Sequence, residues 1–385
     1  LLWFQYKFRL TVWVGGLIKY GETVDFMDNN TEYNDNKRIT YHEQTDIQNI
    51  LKLRAVLKTL PDFCKDYFRA MDPLTTTKTR ISYAYDIRLF FQFILDENPL
   101  YKDCPMKDLT IDVLDQMKAV DIEEYQEYLK VYQNGDKTET NGERGLKRKI
   151  SALRSFYAYY YKHEFIKTNP TVLVDIPKTH EKNIIRLDAD EVAMLLDHIE
   201  NCGEMLTGQK RVYYEKTKER DLAIVTLLLG TGIRVSECVG LDIEDVDFKN
   251  NGIKVTRKGG NEMVVYFGSE VEKALKAYMN VRENVIPVAG HEHALFYSTQ
   301  RKRIGVQAVE NLVKKYARAI TTTKKITPHK LRSTYGTTLY QETGDIYLVA
   351  DVLGHRDVNT TKKHYAAMDD ARRRKAATAV HLRED

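Results

Sequence analysis

Residues 227–237 read LLLGTGIRVSE. A buried apolar helix stops at Gly230 and Gly232, and Arg234 and Glu237 open the next segment on one face at i, i+3 spacing. A cation in a first helical turn opposes the helix dipole unless something anionic meets it. Taken alone, Arg234 reads as a surface arginine. Three further stretches lie downstream. VTRKGGNE, 255–262, places Lys258 where a hairpin turns, beside Gly259 and Gly260, whose freedom lets an ammonium approach a ligand. TPHKLRSTYGT, 327–337, has Thr327 as N-cap and Pro328 at the first helical position, with His329 and Arg332 sharing a face near a phosphate-favouring N-terminus. VLGHRDVNTTKKHYAAM, 352–368, ends a helix at Gly354, continues with His355, and has Asn359 or Thr360 to cap a short helix presenting Tyr365. Each alone has an inert reading: a solvated turn lysine, a His/Arg pair on a surface helix, a core tyrosine.

The 385-residue chain is 43% hydrophobic and 30% charged, which excludes collagen-like, wholly disordered and multi-span membrane chains and leaves room for about two or three domains. Net charge is only +4. Its distribution is uneven: 144–162 carries six cations (Arg144, Lys147, Arg148, Lys149, Arg154, Lys162) and no acid, whereas 108–127 carries seven acids against Lys118. Such a patch suits a phosphate or nucleic-acid partner. Cys64, Cys104, Cys202 and Cys238 lie far apart, without zinc spacing, as reduced thiols of a cytoplasmic protein would. The longest apolar run near the N-terminus, Leu10 to Ile18, is far short of the ~20 residues of a membrane span.

Residues 1–26 hold both tryptophans, Trp3 and Trp13, and precede Met27 and a polar run; they read as upstream or non-native sequence, or alternatively as a short hairpin turning at Gly15-Gly16. Apolar spacing predicts helix from Asp46 to Met71 with a break at Pro61, then helices at about 79–95, 122–132 and 146–164, with a polar loop around Gly135–Gly142. Residues 27–74 thus form a helical extension, 75–170 a helical domain and 171–187 a linker holding Pro177. A second domain, 188–385, begins with a helix capped by Asp188 or Asp190. Strand-like runs at 253–257 and 263–267 flank the Gly259-Gly260 turn, and the remainder is helical.

In this order the four stretches resemble the tyrosine recombinases, the phage-integrase superfamily, in particular Xer-type and mobile-element integrases. Arg234, Glu237, Lys258, His329, Arg332, His355 and Tyr365 match the family's motif position by position. TRISYAYDI, 79–87, is similar to its Thr-x-x-x-Tyr-x-x-Asp-Leu helix, and 148–170 to the last helix of its core-binding domain. The resemblance implies a mainly α fold: a SAM-like helical core-binding domain followed by a mixed α/β catalytic domain with a small antiparallel sheet. It implies double-stranded DNA as partner, a homo-oligomer on DNA (a tetramer in the synaptic complex), no membrane association, and DNA contacts from Arg144, Lys147, Arg148, Lys149 and Arg154. The step from His355 to Tyr365 is ten residues, one longer than the commonest Xer-like pattern, and TGQKRVYYEKTKER, 207–220, reads as a lengthened loop before Arg234.

The chemistry the resemblance implies is phosphodiester exchange without metal or nucleotide. A phenol of pKa near 10 is only about 0.1% ionised at pH 7, so a site must help to deprotonate Tyr365 and neutralise charge developing at phosphorus. Arg234 and Arg332 offer rigid forks to the non-bridging oxygens, and preorganised donors of this kind are each worth roughly 3–4 kcal/mol. On the family's pattern His355 adds a donor, His329 is the base, Lys258 the acid for the departing 5′-oxygen, and Glu237 an orienting carboxylate. The implied 3′-phosphotyrosyl intermediate stores the bond energy. A type IB topoisomerase shares this chemistry without strand exchange, and a silent DNA-binding protein would share only the fold.

Overall fold

The computed structural model describes residues 39–178, 180, 185–257, 260–355 and 358. The expectations for 1–26, Lys258, Tyr365 and the helix offered for Tyr365 lie outside the described residues. Tyr41–Leu57 (α1) and Cys64–Ala70 (α2) are separated at Pro61, as the sequence predicts. Thr77–Glu97 (α3), Asp112–Gln116 (α4), Ala119–Tyr128 (α5) and Glu143–Lys162 (α6) follow. Helix α3 begins where the Thr76 hydroxyl accepts the Thr79 amide, and it buries Ile81, Ala84, Ile87, Phe91 and Ile94 at three-to-four spacing. Those side chains meet Leu153, Phe156, Tyr157 and Tyr160 of α6 in one aromatic-rich core.

A second core is built by Ala189–Asn201 (α7), Gly208–Thr231 (α8), Val235–Gly240 (α9), Ser269–Arg282 (α10), Val306–Ile320 (α11), Pro328–Thr343 (α12) and a three-stranded sheet. Asp188 caps α7 with Glu191 in a capping box. Helix α8 runs through the centre, with Ala223 to Leu228 buried all round, and packs on α10 and α12. The sheet comprises Val246–Asp247 (β1), Gly252–Thr256 (β2) and Glu262–Tyr266 (β3), all antiparallel with β2 in the middle; Ile253, Val255 and Val265 face the core. Ile346–Leu353 (α13) closes the described chain and packs on α12. Helix α1 touches both cores: Leu53 and Val56 enter the first, while Tyr41 lies on the second beneath the Arg303 guanidinium, 4.8 Å from the ring centre.

Two expectations are corrected. The polar loop before α6 is an antiparallel hairpin, Val131–Asn134 with Lys137–Thr140, turning at Gly135 with φ 60°. Its strands are almost wholly exposed, so no alternation of apolar residues announced them. Segment 207–220 is not a loop: from Gly208 it is the first half of α8. Buried Tyr214 anchors that extension by donating its hydroxyl to the Ile199 and Glu200 carbonyls at 3.0 and 2.6 Å.

Candidate active site

Segments remote in sequence meet at the C-terminus of α13. There Gly354 adopts φ +61°, its amide donating to Asp351 O at 2.8 Å and the His355 amide to Ala350 O at 2.9 Å. These are the paired bonds of a Schellman turn, so the backbone at His355 is fixed by the glycine before it. The turn leaves the carbonyls of residues 351–354 facing outward at the negative end of a helix dipole. Guanidiniums collect on them.

Arg332, buried to 5% exposure on α12, donates Nη1 to Gly232 O at 2.6 Å and Nη2 to Leu353 O. Arg234 heads α9, where the chain leaves α8 through Gly232 at φ +63°. Its Nη2 donates to Gly354 O at 3.2 Å, and its Nη1 and backbone amide reach the two Glu237 oxygens, each at 2.7 Å. Glu237 is only 4% exposed, so it orients Arg234 from the interior. A side chain at Gly232 would overlap the Tyr335 ring and Leu353, which is why both its torsion and its surroundings demand glycine. Beside Glu237, burial pushes the Cys238 thiol up to about 12, making it an inert core residue.

His329, one turn before Arg332, is exposed, and His355 is half-buried. The structure therefore brings Arg234, Glu237, Arg332 and the His355 backbone together, with His329 on the solvent side of α12. Lys258 and Tyr365 are outside the described residues. Of the other tyrosines nearby, Tyr340 is buried, burial raises the Tyr335 phenol, and Tyr347 is 71% exposed. Sequence reading missed Arg257, whose side chain also reaches the α13 carbonyls; its one signal was adjacency to Lys258.

The basic helix α6 spends part of its charge within the fold. Lys149 is 8% exposed and donates to Asp86 at 3.2 Å, and Arg148 grips the same carboxylate with both Nη groups. Burial raises the Asp86 carboxyl, with Lys149 and Arg148 pulling the other way. Asp86, at 2% exposure, thus pins α6 to α3. Arg154 donates Nε to Thr171 O at 3.0 Å and Nη2 to Val174 O, tying α6 to the chain that leaves it. Lys149 is buried, whereas Arg144, Lys147 and Arg148 are exposed.

The Phage integrase family profile matches residues 185–372. The tyrosine recombinase XerC of Caldanaerobacter subterraneus subsp. tengcongensis is 35% identical over 312 residues, covering 79% of this chain and 82% of that protein. XerS of Lactococcus lactis is 30% identical over 338 residues, 82% of this chain and 93% of that one. Among solved structures, the Tn1549 transposon integrase in complex with transposon right end DNA superposes with a TM-score of 0.58 at 20% identity, over 82% of this chain and 99% of that one. XerH recombinase bound to palindromic difH substrate gives 0.56 at 20%, over 78% and 79%.

Proposed function

Because the chain belongs to the phage integrase family of tyrosine recombinases, and so is a site-specific DNA recombinase, we propose that Tyr365 forms its 3′-phosphotyrosyl intermediate and that it serves as the integrase of a mobile element. One observation carries the assignment of the site. Arg234 and Arg332, nearly 100 residues apart, converge on the carbonyls that immediately precede His355. Guanidiniums held by carbonyls and by buried Glu237 are preorganised donors, and such donors stabilise charge developing in a transition state without reorganising.

In the proposed reaction the Tyr365 oxygen attacks phosphorus while its proton passes to His329. Arg234, Arg332 and His355 donate to the non-bridging oxygens, and Lys258 protonates the 5′-oxygen as its bond to phosphorus breaks. A free 5′-hydroxyl of a partner strand reverses the sequence and releases the tyrosine. Metal and nucleotide have no part in these steps. Strand exchange needs two duplexes, so the assembly on DNA is taken to be a tetramer. Residues 75–170 are assigned as the core-binding domain and 188–385 as the catalytic domain, joined at 171–187, and the two close on opposite faces of the duplex.

The test uses nicked duplexes tiled across the DNA that flanks the gene. The unaltered chain should give a covalent adduct resistant to denaturant, and Tyr365→Phe should keep DNA binding yet give none. Adduct from that variant would move the nucleophile to Tyr347, Tyr340 or Tyr335. Adduct formation and relaxation without exchange between two sites would favour the topoisomerase reading.

A further inference from the structure

Three arginines, not two, hold the end of α13. Arg257 directly follows strand β2, where its amide donates to Asn261 O at 2.8 Å and its carbonyl accepts from Gly260 at 3.0 Å, closing the base of the β2–β3 turn. Its side chain leaves the sheet altogether. Nη2 donates to Val352 O at 2.6 Å and Nη1 to Asp351 O at 3.3 Å. The guanidinium lies over Gly354 so closely that any Cβ there would overlap Nη1 and the central carbon. Gly354 is thus required twice, by its left-handed torsion and by the arginine packed on it. With Arg332 on Leu353 O and Arg234 on Gly354 O, four consecutive carbonyls are each held by an arginine.

Arg257 differs from the other two in where its donors go. Both Nη groups point at carbonyls of α13, and it has no carboxylate partner among the described residues; its buried Nε has none of any kind there. Burial lowers its pKa, Glu237 opposes that, the Arg234 cation adds to the lowering and Asp351 opposes it, so the site holds this third guanidinium at a cost that the helix carbonyls offset. Its backbone belongs to the hairpin and its side chain to the His355 turn. The residue after it in the chain is Lys258.

We propose that Arg257 is a positioning residue for strand cleavage, fastening the hairpin from which Lys258 acts to the turn that carries His355. The inference rests on the reading of Lys258 given above, and it concerns a residue that touches neither phosphate nor leaving group.

Two measurements on the full chain test it. First, single-turnover cleavage of the tiled duplex that gives the most adduct should fall about ten-fold or more in Arg257→Ala, with DNA affinity within about two-fold, and recover in part in Arg257→Lys. Adding Arg257→Ala to Lys258→Ala should cost less than about two-fold further, because a residue that acts through another has nothing left to position. Losses that multiply in full, or a fall in affinity that accounts for the loss, would overturn the proposal. A 5′-thiol leaving group tells the two readings apart. Rescue of both variants supports both readings, rescue of Lys258→Ala alone overturns the role of Arg257, and rescue of neither overturns the acid role of Lys258 while the double variant still decides the fastening. Second, independent of activity, Gly354→Ala should lower the melting temperature less in an Arg257→Ala background than in the unaltered chain. An equal drop in both backgrounds would show that Arg257 is not seated on Gly354.

Discussion

Arg234 is both a donor aimed at the site and the counter-charge of a buried carboxylate, and substitution can separate the two. Removing it strands Glu237, 4% exposed, with the residue-234 backbone amide as its remaining hydrogen-bond donor among the described residues, and breaking such a pair costs about 3–5 kcal/mol. Arg234→Ala should therefore lower the melting temperature sharply, and adding Glu237→Gln should restore much of it by removing the stranded charge. Cleavage should stay down by about two orders of magnitude in both, since the proposed phosphate donor is missing in each. Recovery of cleavage along with stability would mean that Arg234 serves only the fold. Arg332→Ala should lose cleavage to the same degree, and it also leaves the Gly232 and Leu353 carbonyls without that partner. Cleavage should persist in EDTA, because the sequence sets no Asp/Glu/His cluster at metal-ligand spacing beside these motifs; loss restored by magnesium would point to a metal nuclease.

At the scale of elements, what was legible followed burial. Helix α3 could be read because Ile81, Ile87, Phe91 and Ile94 fall on one stripe, and the ends of α8, α12 and α13 because Gly232, Thr327-Pro328 and Gly354 are chemically committed terminators. The 131–140 hairpin and the start of α8 were illegible for the opposite reason, since one exposes nearly every side chain and the other buries few of its side chains, Tyr214 among them. Helix α1 was visible from Asp46 onward, but its first turn was not, because that turn packs on the second core rather than on its own stripe. His42 lies there, its Nε2 within 3.2 Å of where a Gly240 side chain would start. Burial, then the Arg303 cation, lowers its pKa from the ordinary 6.5, while Asp245, Asp46 and Asp242 oppose the shift. A histidine with a depressed folded pKa stabilises fully above 6.5, where both states are neutral, and loses that contribution as pH falls and the unfolded chain takes up the proton first. Between about pH 7.5 and 5 the unaltered chain should lose more melting temperature than His42→Gln. Identical pH profiles would show that the α1 contact is indifferent to protonation.

For the whole molecule, a net charge of +4 says little about DNA, and the informative quantity is which cations remain available once the fold has used its share. Composition could locate the basic run on α6, yet it could not tell a solvated lysine from one that neutralises Asp86, because that distinction depends on a contact 63 residues away in sequence. Three of the five candidate DNA contacts also have partners within the protein: Lys149 and the exposed Arg148 on Asp86, Arg154 on the Thr171 and Val174 carbonyls. Removing Lys149 should accordingly cost stability, by leaving a buried carboxylate underpaired, more than it changes salt dependence. Arg144 and Lys147 are exposed and, unlike the exposed Arg148, take no part in the Asp86 cluster, so they carry the electrostatic prediction. Each phosphate neutralised contributes about 0.9 to the slope of log affinity against log salt, so replacing both with glutamine should make the slope shallower by roughly 1.8 with an unchanged melting temperature. If the slope holds while the fold is intact, the exposed face of α6 lies away from the duplex, and the N-terminal half must reach DNA through another surface.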